Sequence, residues 1–252
     1  MLKLYARLAG RSVRLALRGW PAAVALLLYA TALQIAGGLL GQLGMVGGFL
    51  VGFVIAFLIS SYLHLLSLTV AGRPIRLADF RESFGARFWD VVSVLFAIWI
   101  IELVVGLATA NAGPRGEIVT VLVGLTMVVF FNPVPELIYL GNGQVRSFAL
   151  LLAAARFISA HWPEWLAPTA LMAAVVLAPT GLIHHGPLAA RLLTMQMLFS
   201  LDGLVATVLA IPLWLKPFML IFITWAMVFR GLLFAELASG TNRRRRAWPN
   251  QN

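Results

Sequence analysis

The chain has 252 residues, 61% of them hydrophobic and 11% charged, with a mean hydropathy of +0.93. Those values exclude an ordinary soluble globular domain and describe an integral membrane protein, long enough for about six spanning helices but not for a further soluble domain. Cysteine is absent, which excludes disulfides, thiolate metal sites, covalently attached c-type haem and a cysteine nucleophile.

The chain opens with Lys3, Arg7, Arg11, Arg14 and Arg18, separated by 4, 4, 3 and 4 residues, so that they form one stripe of a helix. Leu2, Tyr5, Val13 and Leu17 fall off that stripe. A basic amphipathic helix of this kind lies in the headgroup layer and meets anionic lipid or an acidic partner. An apolar run follows from Pro21. Ala30-Thr31-Ala32 has the look of a signal-peptide cleavage site, but the basic region is too long and too regular, so the run is expected to stay as the first span.

Apolar stretches able to cross a bilayer cover residues 21–40, 45–70, 91–109, 118–140, 166–183 and 211–233. All are expected to be helices, which alone satisfy their own backbone in lipid. Pro212 and Pro217 predict a kinked or interfacial start to the last one. Glycines 37, 38, 41, 44, 47, 48 and 52 crowd the first hairpin, where Gly48-x-x-x-Gly52 predicts close helix contact.

Between the second and third spans, Asp79 is expected to cap a short helix, with Glu82 as its reciprocal partner, that runs into Trp89. Phe80, Phe84 and Phe88 give it one aromatic face for packing. After span four, a Gly-Asn-Gly turn at 141–143 precedes a mostly apolar helix ending at His161, ahead of Trp162-Pro163. The tryptophans Trp20, Trp89 and Trp162 thus recur about every 70 residues, each after a basic stretch (Arg14 and Arg18; Arg81 and Arg87; Arg156) and before a hairpin.

The expected fold is all-α: a polytopic membrane protein of about six transmembrane helices in three hairpin repeats, each preceded by an amphipathic interfacial helix. Residues 1–239 form one transmembrane domain with units at about 1–71, 72–141 and 142–239, and 240–252 form a flexible basic tail. With both termini in the cytoplasm, 16 of the 19 Lys and Arg fall on that side, and only Arg115, Arg191 and Lys216 do not. Topology therefore accounts for most of the +10 net charge, and nucleic acid is not expected as a partner.

Ionisable groups within spans are the candidates for function. Glu102 lies near mid-depth of span three, with His64 of span two as a possible partner; a structural hydrogen-bonding role is the more common one. At Asn132-Pro133-Val-Pro135-Glu136 two prolines break a helix beside a carboxylate. Broken helices expose carbonyls that bind ions or substrates in transporters, but a simple kink with Glu136 reaching headgroup water is the default. Lys216 beside Pro217 is expected to snorkel. His184 and His185 near Met195 and Met197 carry copper-type donors, but adjacent histidines point in different directions on a helix, and no metal or cofactor is expected there; residues 187–201 are expected to form an outer-leaflet amphipathic or re-entrant helix, and haem or pigment ligation by His64 or His161 is the remaining alternative.

The stretches Arg76-Leu-Ala-Asp-Phe-Arg-Glu-Ser-Phe84 and Asn132-Pro-Val-Pro-Glu-Leu-Ile-Tyr139, with the close from Pro217 to Arg230-Gly-Leu-Leu, resemble a superfamily of six-span bacterial membrane domains. It includes the membrane part of some glycerophosphodiester phosphodiesterases. The resemblance implies a membrane anchor or partner module and transfers no site.

Enzyme signatures such as a Gly-x-Ser-x-Gly elbow, a phosphate-binding loop or a His-Glu-x-x-His pair do not occur in the sequence. The expectation is a non-enzymatic inner-membrane protein that serves as a structural, anchoring or assembly component of a complex. It would contact anionic lipid headgroups and other membrane subunits. The alternative is a small transporter or lipid-handling protein using Glu102, His64 and the 133–136 break.

Overall fold

A computed structural model describes residues 1–141, 147–177 and 215–247. Its described elements are helical: α1 (Leu2–Arg18), α2 (Trp20–Leu40), a 3-10 turn (Gly41–Leu43), α3 (Gly44–Val70), α4 (Leu77–Ser83), α5 (Phe88–Thr109), α6 (Pro114–Phe130), α7 (Val134–Leu140), α8 (Ser147–Leu177) and α9 (Lys216–Ala247). Among the described residues, five segments are long and apolar enough to cross a membrane: Trp20–Leu43, Val46–Val70, Phe88–Thr109, Arg115–Leu140 and Pro217–Gly240. The chain is thus built as an integral membrane protein. The expected span at 166–183 coincides with the second half of α8 as far as Leu177, and 178–183 lie outside the described residues. Helix α9 runs to Ala247, well past the expected start of the tail at 240.

Each repeated tryptophan follows a backbone break. Gly19 (φ −87, ψ 20), Arg87 (φ −126, ψ 18) and His161 (φ −137, ψ 25) all leave the helical region just before Trp20, Phe88-Trp89 and Trp162. Pro21 and Pro163 fit behind such a break, because the first turn of a helix needs no N–H donor. At the first break glycine is required for space, since a Cβ on Gly19 would collide with the Thr69 side chain at the end of α3.

The central helices are α3 and α9. Leu65 and Leu66 of α3 pack with Val228 and Leu233 of α9, Tyr139 of α7, and Ile158 and Trp165 of α8 in the main core. By contrast, α5 buries only Val91, Val94 and Ala97, all in its first half. Helix α1 runs alongside α9 and reaches α3 and α8: Leu8, Ser12 and Ala16 are buried, and the Tyr5 hydroxyl donates to the Glu164 carbonyl at 3.0 Å. Partial burial and the nearby Glu164 carboxylate both raise the Tyr5 pKa above its ordinary value.

Three local expectations need correction. Asp79 is not the cap of α4 but its third residue, where its carboxylate accepts the Arg76 N–H at 2.6 Å. The helix also ends at Ser83, because the Ser83 hydroxyl is held by Ser61, itself hydrogen-bonded to Tyr29, and the chain turns at Gly85 (φ +87). With the helix ended there, Phe80, Phe84 and Phe88 do not share one helical face: Phe84 stacks on Phe57 from the turn, and Phe88 packs against Phe53 from the start of α5. Finally, Gly48 and Gly52 have open space around them; the close approach in the first hairpin is at Gly47, where a Cβ would strike the Leu40 carbonyl.

Candidate functional site

The densest polar arrangement lies inside the bundle, at the break between α6 and α7. Pro133 has no N–H and Phe131 ends α6, so Asn132 stands between two helices. Arg230, from the middle of α9, reaches into this gap. Its Nε donates to Glu136 Oε1 at 2.8 Å, and its Nη2 donates to Glu136 Oε2 at 3.0 Å and to the Asn132 carbonyl at 2.7 Å. Trp165 of α8 closes the group: its indole N–H donates to Asn132 Oδ1 at 2.8 Å, and its ring lies 5.2 Å from the Arg230 guanidinium.

Burial makes this geometry consequential. Glu136 and Trp165 are 0% exposed, Asn132 4% and Arg230 8%. An isolated charge at such depth would be expensive, but a two-pronged guanidinium–carboxylate pair neutralises both groups and also satisfies the carbonyl freed by the helix break. The arrangement therefore joins α7, α8 and α9 at one point. The same face of α9 carries two further contacts, Tyr139 Oη to the Met227 carbonyl at 3.0 Å and Tyr62 Oη to Thr224 Oγ1 at 3.5 Å. Among the described residues the one buried side-chain N or O left without a partner is Trp225 Nε1, outside this network.

Close approach of α7 and α9 depends on Gly231. A Cβ there would collide with the Tyr139 hydroxyl and sit 3.1 Å from Val70. Gly231→Ala is expected to destabilise the protein by about 1–3 kcal/mol as an overpacked contact. Adding Tyr139→Phe should recover part of the loss by removing the colliding oxygen. Thermal unfolding of the single and double variants in one detergent checks both expectations.

The expectation that Glu136 reaches headgroup water is overturned by its burial and its pairing. Arg230, counted at the sequence level among the cytoplasmic cations, is part of the core. Its signal was present: it lies inside the sixth apolar run, and a cation within a span requires an acidic partner.

Glu102 and His64 are not brought together. His64 lines a cleft of about 610 Å³ with residues 85–90 and Gly141. Glu102 is on the exposed side of α5, twelve residues beyond Asp90 at the cleft, which is about 18 Å along a helix. Arg87 also departs from expectation. Rather than facing lipid, it donates through Nη2 to the Gly141 carbonyl at the end of α7 (2.9 Å) and lies 3.8 Å from Asp90, a favourable place for a cation beside a helix C-terminus.

The other expected interface residues are exposed: Lys3, Arg7, Arg11, Arg14, Arg18, Arg81 and Arg156, with Trp20 at 63%, Trp89 at 74% and Trp162 at 61%. His161 stacks on Phe157, and its Nδ1 is 3.2 Å from the Phe157 carbonyl. No group of three or more His, Asp or Glu suited to a metal occurs among the described residues. The side chain of Lys216, together with His184, His185, Met195, Met197 and segment 187–201, lies outside the described residues. Comparison with protein-family models, curated proteins and solved structures finds no match to this chain.

Proposed function

We propose that the chain is a non-enzymatic structural or assembly component of a larger complex in a bacterial-type inner membrane. The observation that carries this reading is how the polar groups at depth are used. Glu136, Arg230, Asn132 and Trp165 are committed to one another, while α5 turns Trp99, Leu103, Val104 and Leu107 outward. A broad apolar flank around an internally fastened core suits a neighbour within the bilayer.

In this reading the chain crosses the membrane six times in three hairpins, with 166–183 as the fifth crossing and both termini cytoplasmic. Removing Arg230 from the cytoplasmic tally leaves the charge bias intact, since the other Lys and Arg on that side still far outnumber Arg115, Arg191 and Lys216. Membership of the six-span superfamily belongs to the same proposal.

The test exploits the absence of cysteine. A single Leu107→Cys carrying a photocrosslinker, irradiated in native membranes, should yield a discrete protein adduct that also purifies with the uncrosslinked chain. Recovery of lipid adducts alone, with the protein migrating by itself after gentle extraction, would sink the proposal. The cleft at His64, lined also by Arg87 and Asp90, favours a second reading as a transporter or lipid-handling protein. Flux or lipid exchange in proteoliposomes that falls in His64→Gln would favour it, and Glu102→Gln is the matching probe for the carboxylate outside the cleft.

A further inference from the structure

Helix α1 has three distinct faces. At about 100° per residue, Leu4, Leu8, Ser12 and Leu15 centre on one side; Leu2, Val13 and Leu17 centre about 150° away; and the cations fill the side between them. The first face is occupied by protein, as Leu8 (5%), Ser12 (0%) and Ala16 (8%) are buried with α9 as the main neighbour. The second is open, with Leu2 84%, Val13 44% and Leu17 65% exposed, and Trp20 continues it beyond Gly19.

On the third face stand Lys3, Arg7, Arg11, Arg14 and Arg18. The helix contains no acidic residue, and the described ion pairs are Arg87–Asp90 and Arg230–Glu136, so this charge is not neutralised within the described chain. Such a single-signed stripe calls for an anionic counterpart. The apolar edge decides which kind. An acidic protein docked on the arginines would leave Leu2 and Leu17 in water, whereas a leaflet takes both at once, acyl boundary against the leucines and headgroups against the arginines.

From this geometry we infer that α1 is an anionic-phospholipid binding surface, held at a fixed angle by its docking on α9. It runs from Gly19, against Thr69 of α3, to Tyr5, bonded to Glu164 of α8, and so straps one end of the bundle. Anionic headgroups then hold the strap in place. The inference needs a chain inserted in a bilayer but not a partner subunit, so it and the assembly reading fail separately.

The test uses the full-length protein with Leu17→Cys, labelled with a fluorophore and reconstituted in phosphatidylcholine vesicles. These carry a trace of headgroup-labelled phosphatidylglycerol or headgroup-labelled phosphatidylcholine as the energy-transfer acceptor. The phosphatidylglycerol probe should be enriched at Leu17 by about fivefold or more, the factor that one basic residue near the surface supplies. High salt and the combined Arg7→Gln, Arg11→Gln, Arg14→Gln and Arg18→Gln substitutions should abolish the enrichment; the corresponding lysine substitutions should keep it. Equal transfer to both lipids, or a Leu17 label quenched by aqueous iodide and not by lipid-borne quenchers, overturns the inference and points to a protein on this face. Should the glutamine variant fail to fold, the salt titration and the lysine variant decide the matter.

Discussion

Arg230→Met is expected to destabilise the protein by about 3–5 kcal/mol, because it leaves the Glu136 carboxylate buried at 0% exposure with no counter-charge. Glu136→Met should cost a similar amount by stranding the guanidinium. Together the two substitutions remove both charges and replace them with flexible apolar side chains, so the double variant should lose less than the two singles combined, by up to about 3 kcal/mol. Recovery will be partial for a specific reason. Arg230 also satisfies the Asn132 carbonyl that the Pro133 break leaves free, and methionine cannot replace that donor. Unfolding midpoints of all four proteins in one detergent provide the cycle. Strict additivity would mean that the pair is no more than two neighbouring residues.

The same pair marks the limit of what the sequence discloses. Helix positions were legible because they follow from local chemistry: apolar runs set the spans, and Trp-Pro after a basic stretch marked the breaks at Gly19 and His161 to within a residue. Local polar detail was less legible. Asp79 satisfies the capping pattern from either of two positions, and only the docking of Ser83 on Ser61 decides where α4 stops. At the polar core the two ionisable groups were legible one by one, but their pairing was not. Glu136 and Arg230 are 94 residues apart, and each alone lies close enough to the end of its apolar run to be explained by headgroup water. What excludes that explanation is tertiary: α8 brings Trp165 over the break, and Gly231 lets α9 approach α7 closely enough for the guanidinium to reach. The candidate sites fared accordingly. Exposed tryptophans and arginines follow from amphipathic spacing, whereas the supposed Glu102–His64 pairing depended on a helix register that the sequence does not fix.

Trp165→Ala should be the other severe substitution, and comparison with Trp165→Phe separates its two contributions. The indole is fully buried against Phe157 and Phe234, with ring centroids 5.3 and 6.1 Å away, and it covers the Arg230 guanidinium. Alanine removes the ring and leaves a cavity that the flanking helices cannot fill without moving, at a cost of about 3–5 kcal/mol. In a bilayer the loss acts through packing rather than through exposure to water, since dispersion contacts across a tight interface are what hold helices together there. Phenylalanine keeps most of the ring and much of the cation–π contact but removes the donor to Asn132 Oδ1, which predicts a smaller loss of about 1–3 kcal/mol. The ordering has a further consequence for Arg230. If the indole shields the ion pair from lipid and water, Trp165→Ala should weaken the coupling measured between Glu136 and Arg230, while Trp165→Phe should leave it nearly intact. Repeating the Glu136–Arg230 cycle in each Trp165 background measures this directly, and an unchanged coupling in the alanine background would assign Trp165 to cavity filling alone.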